Sequence, residues 1–180
     1  MWYEVVSDDV ILQGDLIKEC PVIIPLDKIP LKENVDLPAK IEIYNVIILS
    51  QSCDLDKKKV DLVLVCPFSS LTEFGDKDAF FKDNKGKDAL RRGYFPSYHL
   101  LNKCEIGGFE TDFMVTDFHR IYTVPYDVLM TLVGDKAKRL RLLSPYREHL
   151  SQAFARFFMR VGLPADIPSF GKFHIGDLLD

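Results

Sequence analysis

The residue types able to do chemistry gather at the ends of two apolar runs. The first run, from Asn45 to Leu49, ends in Ser50-Gln51-Ser52-Cys53-Asp54, and the second, from Val60 to Val65, ends in Cys66-Pro67-Phe68-Ser69-Ser70. A cysteine is a nucleophile only as its thiolate, which requires a base and an electropositive setting. Asp54 beside Cys53 opposes that ionisation, so a base has to come from elsewhere in the chain, and His99 and His119 are the candidates. With such a partner, Cys53 would serve a cysteine-dependent hydrolase. The plainer reading is a small side chain filling space at a strand end, with Asp54 binding turn amides. In that case Ser50, Gln51, Ser52, Cys53 and Asp54 together form a contact for a ligand or partner.

Metal chemistry has less to build on. Asp54, Asp56 and Asp61 lack the spacing of a calcium loop, and Lys57-Lys58-Lys59 beside them suits a solvated tip. Cys20, Cys53, Cys66 and Cys104 are scattered, without the close pairs that zinc sites use. No metal and no cofactor is implied.

Charge is divided unevenly along the chain. The net charge is -4, yet all eight arginines lie from Arg91 onward, while the first half is acidic. Arginine suits bidentate recognition of phosphate and carboxylate. The stretch Lys136-Ala137-Lys138-Arg139-Leu140-Arg141, joined by Arg147, Arg156 and Arg160, reads as a phosphate-meeting patch, with Tyr94, Tyr98 and Tyr146 available to stack bases. A nucleic acid is therefore a candidate partner beside a protein partner or a second copy. A mildly acidic whole favours such a patch only at close range.

The elements that must position these residues are mostly strands. At 180 residues, 47% hydrophobic and 28% charged, the chain has the composition of one globular domain. No apolar run reaches the ~18 residues of a membrane helix, and the start lacks a signal-like core. A cytoplasmic protein with no membrane partner is expected. Residues 3–24 read as strands broken at Gly14-Asp15, residues 25–40 as a proline-punctuated loop, and residues 41–50 and 60–66 as β-branched strands joined by a charged turn from Asp54 to Lys59. Asp76 to Lys87 reads as a polar, mobile stretch in which Gly75 and Gly86 limit helix. Extended segments follow at 94–101, 113–118 and 119–124, and Pro125 opens a short helix over 126–133.

The clearest helix spans 145–161. Ser144 is the expected N-cap, Pro145 the first helical residue, and Gly162 the stop. Tyr146, Leu150, Ala153, Phe154, Phe157, Phe158 and Val161 share its apolar face, with Arg147, His149, Gln152, Arg156 and Arg160 opposite. The expected organisation is a β domain over 1–133 with a helical extension over 134–180, packed on it or on a partner.

The order of the motifs resembles the MazF/PemK-type toxin barrels. Gly14-Asp15-Leu16-Ile17 is similar to their "G-D-I-V" strand, Val46-Ile47-Ile48-Leu49-Ser50 to "R-P-V-L-V-I-S", Leu62 to Ser70 to "V-V-C-P-I-T-S", and Asp117 to Val124 to the "D-Q-I-R-T-V" segment before a short helix. The resemblance implies a mainly β fold, an SH3-like bent antiparallel barrel carrying a long amphipathic helix at its C-terminal side. It also implies metal-independent cleavage of single-stranded RNA by an arginine before the second motif and a Ser or Thr after the third. Ser69 matches the hydroxyl position; Tyr44 occupies the arginine position and Asn45 that of the usual proline. Arg91, Arg92 or Arg120 would have to supply the guanidinium, a contribution on the order of 3 kcal/mol or more to such a transition state. The Ser50 to Asp54 pentad departs from these toxins and resembles an "(S/T)-x-x-C-D" element of bacterial and phage-associated proteins.

The leading expectation is thus a non-enzymatic accessory or interaction module of a bacterial or mobile-element system, built on a toxin-like barrel and working with a protein partner or as a homodimer. The alternatives are a diverged endoribonuclease using Ser69 and one of those arginines, and the cysteine-dependent hydrolase.

Overall fold

Val46 to Leu49 is apolar at four consecutive positions, a pattern that requires a strand buried on both faces. The computed structural model, which describes residues 1–25, 39–135 and 138–159, places this segment at the centre of an eight-stranded sheet. The strands are β1 (Tyr3–Val6), β2 (Asp15–Ile24), β3 (Lys40–Ile48), β4 (Leu62–Ser70), β5 (Tyr98–Leu101), β6 (Met114–Asp117), β7 (Tyr122–Pro125) and β8 (Arg139–Leu142). They run in the order β1-β8-β2-β3-β4-β6-β5, with β7 also on β4. All their pairings are antiparallel. Among the described residues the sheet is open: β1 and β5 are its ends, and no ladder closes it into a barrel.

Because successive strand residues point to opposite faces, the sheet divides its apolar residues between two cores. Leu16, Ile47, Leu49, Cys66 and Met114 lie in one, with Leu150 of helix α5 (Tyr146–Phe158). Ile17, Val46, Ile48 and Val65 lie in the other, with Leu129 and Val133 of α4 (Tyr126–Asp135). β4 is the branching strand. It pairs with β7 over 62–65, β3 over 65–67 and β6 over 68–70.

Three smaller helices interrupt the strands: α1 (Ser52–Asp56), α2 (Leu71–Lys77) and α3 (Asn84–Arg91). The first replaces the charged turn expected from Asp54 to Lys59. The other two, with a 3-10 turn over Ala79–Lys82, give order to the stretch expected to be polar and mobile. Aromatic packing accounts for that difference. Phe81 and Leu90 are buried with Phe74, Phe95 and Tyr98 packed against them. Gly86 permits the turn to close, since a Cβ there would stand 2.0 Å from the Phe80 carbonyl oxygen. α2 is secured by a capping box between Ser70 and Glu73.

The described part of 134–180 is more than a helical extension. β8 lies inside the sheet between β1 and β2, and all four of its residues are buried. α5 begins at Tyr146, with Pro145 rather than Ser144 at the N-cap and no side-chain cap. The Leu143 carbonyl accepts the Tyr146 and Arg147 N–H groups instead, meeting the need that a capping hydroxyl would serve. Residues 160–180, the Gly162 stop among them, lie outside the described residues.

β8 is held by charge as well as by its ladders. The Asp15 carboxylate, fully buried, accepts from Arg139 Nε at 2.8 Å, from Arg141 Nε at 2.5 Å and Nη2 at 3.0 Å, and from the Leu12 N–H at 3.1 Å. Asp8 pairs with both arginines from the outer side, at 2.6 Å and 2.8 Å. Burial works against the Asp8 anion, but hydrogen bonds from Arg141 and Arg139 hold its carboxyl below the usual carboxylate range. Removing one partner of a buried charge cluster leaves the others uncompensated. Asp15→Ala is therefore expected to lower stability by about 3–5 kcal/mol, read as a fall in the urea midpoint; a loss below about 1 kcal/mol, the scale of an exposed pair, would remove the cluster from this role.

Candidate anion-binding cleft

α3 carries Asp88 one turn before its end, where the carboxylate pairs with Arg91 at 2.6 Å and Arg92 at 2.7 Å. These are the i,i+3 and i,i+4 spacings that face each other on a helix. Gly93, at φ +68, then ends the helix in the left-handed region, and the Gly93 and Tyr94 N–H groups close back onto the Leu90 and Ala89 carbonyls. The stop leaves Arg91 and Arg92 on the rim of a cleft of about 490 Å³.

The opposite wall is α5. His149, Ala153 and Arg156 lie at i, i+4 and i+7 and line the same cleft. β5 contributes Tyr98, His99 and Leu100, and Phe95 and Phe113 complete the aromatic lining. Trp2 enters from the N-terminal side, stacked on Tyr146 of α5 with ring centroids 3.9 Å apart. Tyr3 ties that segment down by donating its hydroxyl to the Asn102 carbonyl at 2.6 Å.

Three guanidiniums and two imidazoles thus meet around one opening, and among the described residues no carboxylate lines it. A neighbouring cleft of about 800 Å³, which shares Arg91, Leu100 and Phe113, carries Asp76, Asp88 and Asp112 opposite Lys82 and Lys87. Its charges are balanced, whereas at the first cleft Arg91 and Arg92 share the single Asp88 carboxylate. Arg156 makes no ion pair among the described residues. His99 Nε2 is buried without a hydrogen-bond partner among the described residues. Burial, reinforced by His149, pushes the His99 imidazole down to about 4.

The residues singled out from sequence fall into several places. Ser50 and Ser52 serve the fold: Ser50 Oγ accepts the Leu64 N–H at 2.9 Å, and Ser52 Oγ accepts the Gln13 N–H at 3.2 Å. Gln51 donates to Ser151 of α5 at 3.0 Å. Cys53 is exposed beside Asp54 in a polar notch of about 370 Å³, whose other wall includes Arg147 and Gln152. Among the described residues, no histidine lines that notch. His119 pairs instead with Asp117 at 2.9 Å and packs edge-on against Tyr98 and Phe157. Ser69 lies in β4 opposite Val115 and makes no hydrogen bond to Arg91, Arg92 or Arg120 among the described residues. Arg120 rests on the Tyr44 ring, 4.6 Å from its centroid, and donates to the Tyr44 hydroxyl at 2.5 Å. Cys66 is buried, and burial pushes its thiol up to about 12. Among the described residues, no group of three or more His, Cys, Asp or Glu is placed to hold a metal ion.

The expected nucleic-acid patch of Lys138, Arg139, Arg141 and Arg147 is not assembled. Arg139 and Arg141 are buried in their pairs with Asp8 and Asp15, Lys138 is exposed, and Arg147 pairs with Glu148 at 2.9 Å. Lys136 and Arg160 lie outside the described residues. The cationic surface forms instead from Arg91, Arg92 and Arg156, with the imidazoles of His99 and His149 in the same lining. The signal for it lay in the helical spacing of His149 and Arg156, but sequence offered nothing to set Trp2 and His99 beside them.

No protein-family model matches the chain, and no curated protein is similar enough to match it. Among the described residues, no helix is long and apolar enough to cross a membrane.

The unfolded chain protonates His99 near its ordinary value of 6.5, whereas the folded chain resists until about 4. The contribution of this group to stability is therefore whole above pH 6.5 and is lost as pH falls toward 4. His99→Gln should flatten that part of the urea-stability curve, and an unchanged curve would count against a buried neutral imidazole.

Proposed function

We propose that the chain is a non-enzymatic interaction module of a bacterial or mobile-element system, and that it binds an anionic group in the cationic cleft. The observation that carries this reading is the convergence of Arg91, Arg92 and Arg156 on an aromatic-walled opening that no carboxylate lines among the described residues, in a chain whose net charge is -4. Clefts of one charge sign concentrate the opposite charge far above what overall charge suggests. The candidate nucleophiles support binding over catalysis, because neither Cys53 nor Ser69 lines the cleft. The module is built on a sheet whose motifs follow the order of the toxin barrels: Gly14-Asp15-Leu16-Ile17 enters β2, Val46 to Ser50 ends β3, Leu62 to Ser70 is β4, and Asp117 to Val124 joins β6 to β7.

Tripolyphosphate is the probe for this reading. It should bind with an affinity that falls as salt rises. The Arg92→Ala/Arg156→Ala double variant should bind about tenfold more weakly, a difference of about 1.4 kcal/mol. Both arginines are exposed, so folding should be unaffected. Unchanged affinity in the variant would overturn the assignment.

One observation favours a second reading, a diverged metal-independent endoribonuclease. The Arg120 guanidinium lies against Tyr44, the residue at the toxin arginine position. Single-stranded RNA of mixed sequence should then be cut in the presence of a chelator, with the activity lost in Ser69→Ala and in Arg120→Ala. An intact substrate pool after prolonged incubation would eliminate this reading.

A further inference from the structure

The cleft has features that an anion alone would not use. Its cations lie on the rim and on α5, while its lining is largely aromatic and aliphatic: Trp2, Leu90, Phe95, Tyr98, Leu100 and Phe113. An inorganic anion or a carboxylate would leave those faces exposed to water. A flat ring would cover them, since aromatic pairs gain from stacked or edge-on contact beyond simple burial. The volume of about 490 Å³ falls within the roughly 300–1,000 Å³ range of small-molecule sites.

Two polar groups further narrow the ring. His99 Nε2 is buried and unpartnered, and the Asn102 carboxamide nitrogen makes no hydrogen bond among the described residues. Both residues line the cleft, and Nε2, which has no surface open to water, meets an occupant once the His99 ring turns toward it. A buried nitrogen without a partner costs free energy until something meets it. A phenyl ring has no polar edge and would leave it unmet. A nucleobase carries donors and acceptors around its rim and can answer both groups while its faces meet the aromatic wall.

Resting on the reading of the cleft as an anion site, we propose that its ligand is a nucleoside phosphate, with the phosphate among Arg91, Arg92 and Arg156, the base against the aromatic wall, and its polar edge toward His99 and Asn102. The arginines supply charge and orientation, and the imidazole and carboxamide distinguish a nucleobase from a plain aromatic ring. The shared chemistry could be presented by a free nucleotide or by the phosphorylated end of a nucleic-acid strand.

Trp2, the only tryptophan, lines the cleft and reports its occupancy. The four nucleoside monophosphates, phenyl phosphate, tripolyphosphate and a 5′-phosphorylated trinucleotide are titrated against the full chain by calorimetry and by Trp2 fluorescence. At least one nucleoside monophosphate should bind about tenfold or more tighter than phenyl phosphate, since a site with hydrogen-bonding groups rejects a ligand that leaves them unpaired. His99→Phe, which keeps a ring in place, should erase that preference and leave tripolyphosphate binding intact. Arg156→Ala should weaken both ligands.

If tripolyphosphate binds and no nucleoside monophosphate exceeds phenyl phosphate, the nucleoside assignment is overturned while the anion site stands; a phenyl phosphate preference would point to phosphorylated tyrosine. If nothing anionic binds, both readings fall. A trinucleotide that binds more tightly than every monophosphate supports the strand end as source, and the reverse supports the free nucleotide.

Discussion

The carboxylate of Asp15, shared between Arg139 and Arg141, is the interaction on which the rest of the molecule depends. It joins β2 to β8 from inside the sheet, and Asp8 completes the cluster from the loop after β1. Arg139 and Arg141 alternate with Leu140 and Leu142, whose side chains enter the opposite core. A one-residue slip of β8 would exchange the two sets, placing guanidiniums among hydrocarbon and leucines against carboxylates. The cluster thus specifies one register as well as adding attraction. It also joins the two halves of the divided charge, because the acidic half supplies Asp8 and Asp15 while the arginine-bearing half supplies their partners.

That register propagates directly to the cleft. β8 leads through Leu143 into α5, so the placement of the strand sets where His149 and Arg156 lie. β1, paired to β8 on its other side, carries Trp2 onto Tyr146. The far wall comes from a separate small core in which Phe74, Phe81, Phe95 and Tyr98 meet edge to face or tilted. Tyr98 continues the contact to His119, which Asp117 and Phe157 hold in turn. The opening therefore lies between two packed units, and its shape comes from aromatic contacts more than from loop conformation.

Much of the local structure was legible in the sequence. The β-branched runs that became β3 and β4, the amphipathic helix that became α5, and the short helix opened by Pro125 all declare themselves by periodicity. Partnerships between distant residues were less accessible. Lys136 to Arg141 has the composition of a solvated basic patch, and only the carboxylates more than a hundred positions earlier turn Arg139 and Arg141 inward. The helices between 71 and 91 were obscured for a similar reason. Their stability comes from Phe81 and Leu90 packing against later segments, and from the close approach of Gly86 to Phe80, rather than from intrinsic helix preference. The chemistry of the candidate site was visible as residue types, the late arginines above all. Its location was not, because it requires β1, β5, α3 and α5 to be brought together first.

α5 has one more property. His149, Ala153 and Arg156 line the cationic cleft, while Glu148, Ser151 and Gln152 line the polar notch that holds Cys53. The helix is a party wall between two openings of different character, one aromatic and cationic, the other small and polar. An occupant of either presses on the same rigid body. Where α5 shifts to admit one guest, the affinity for the other changes, and thermodynamic linkage makes that influence equal in both directions. The notch beside Cys53 and the arginine cleft thus share one wall, α5.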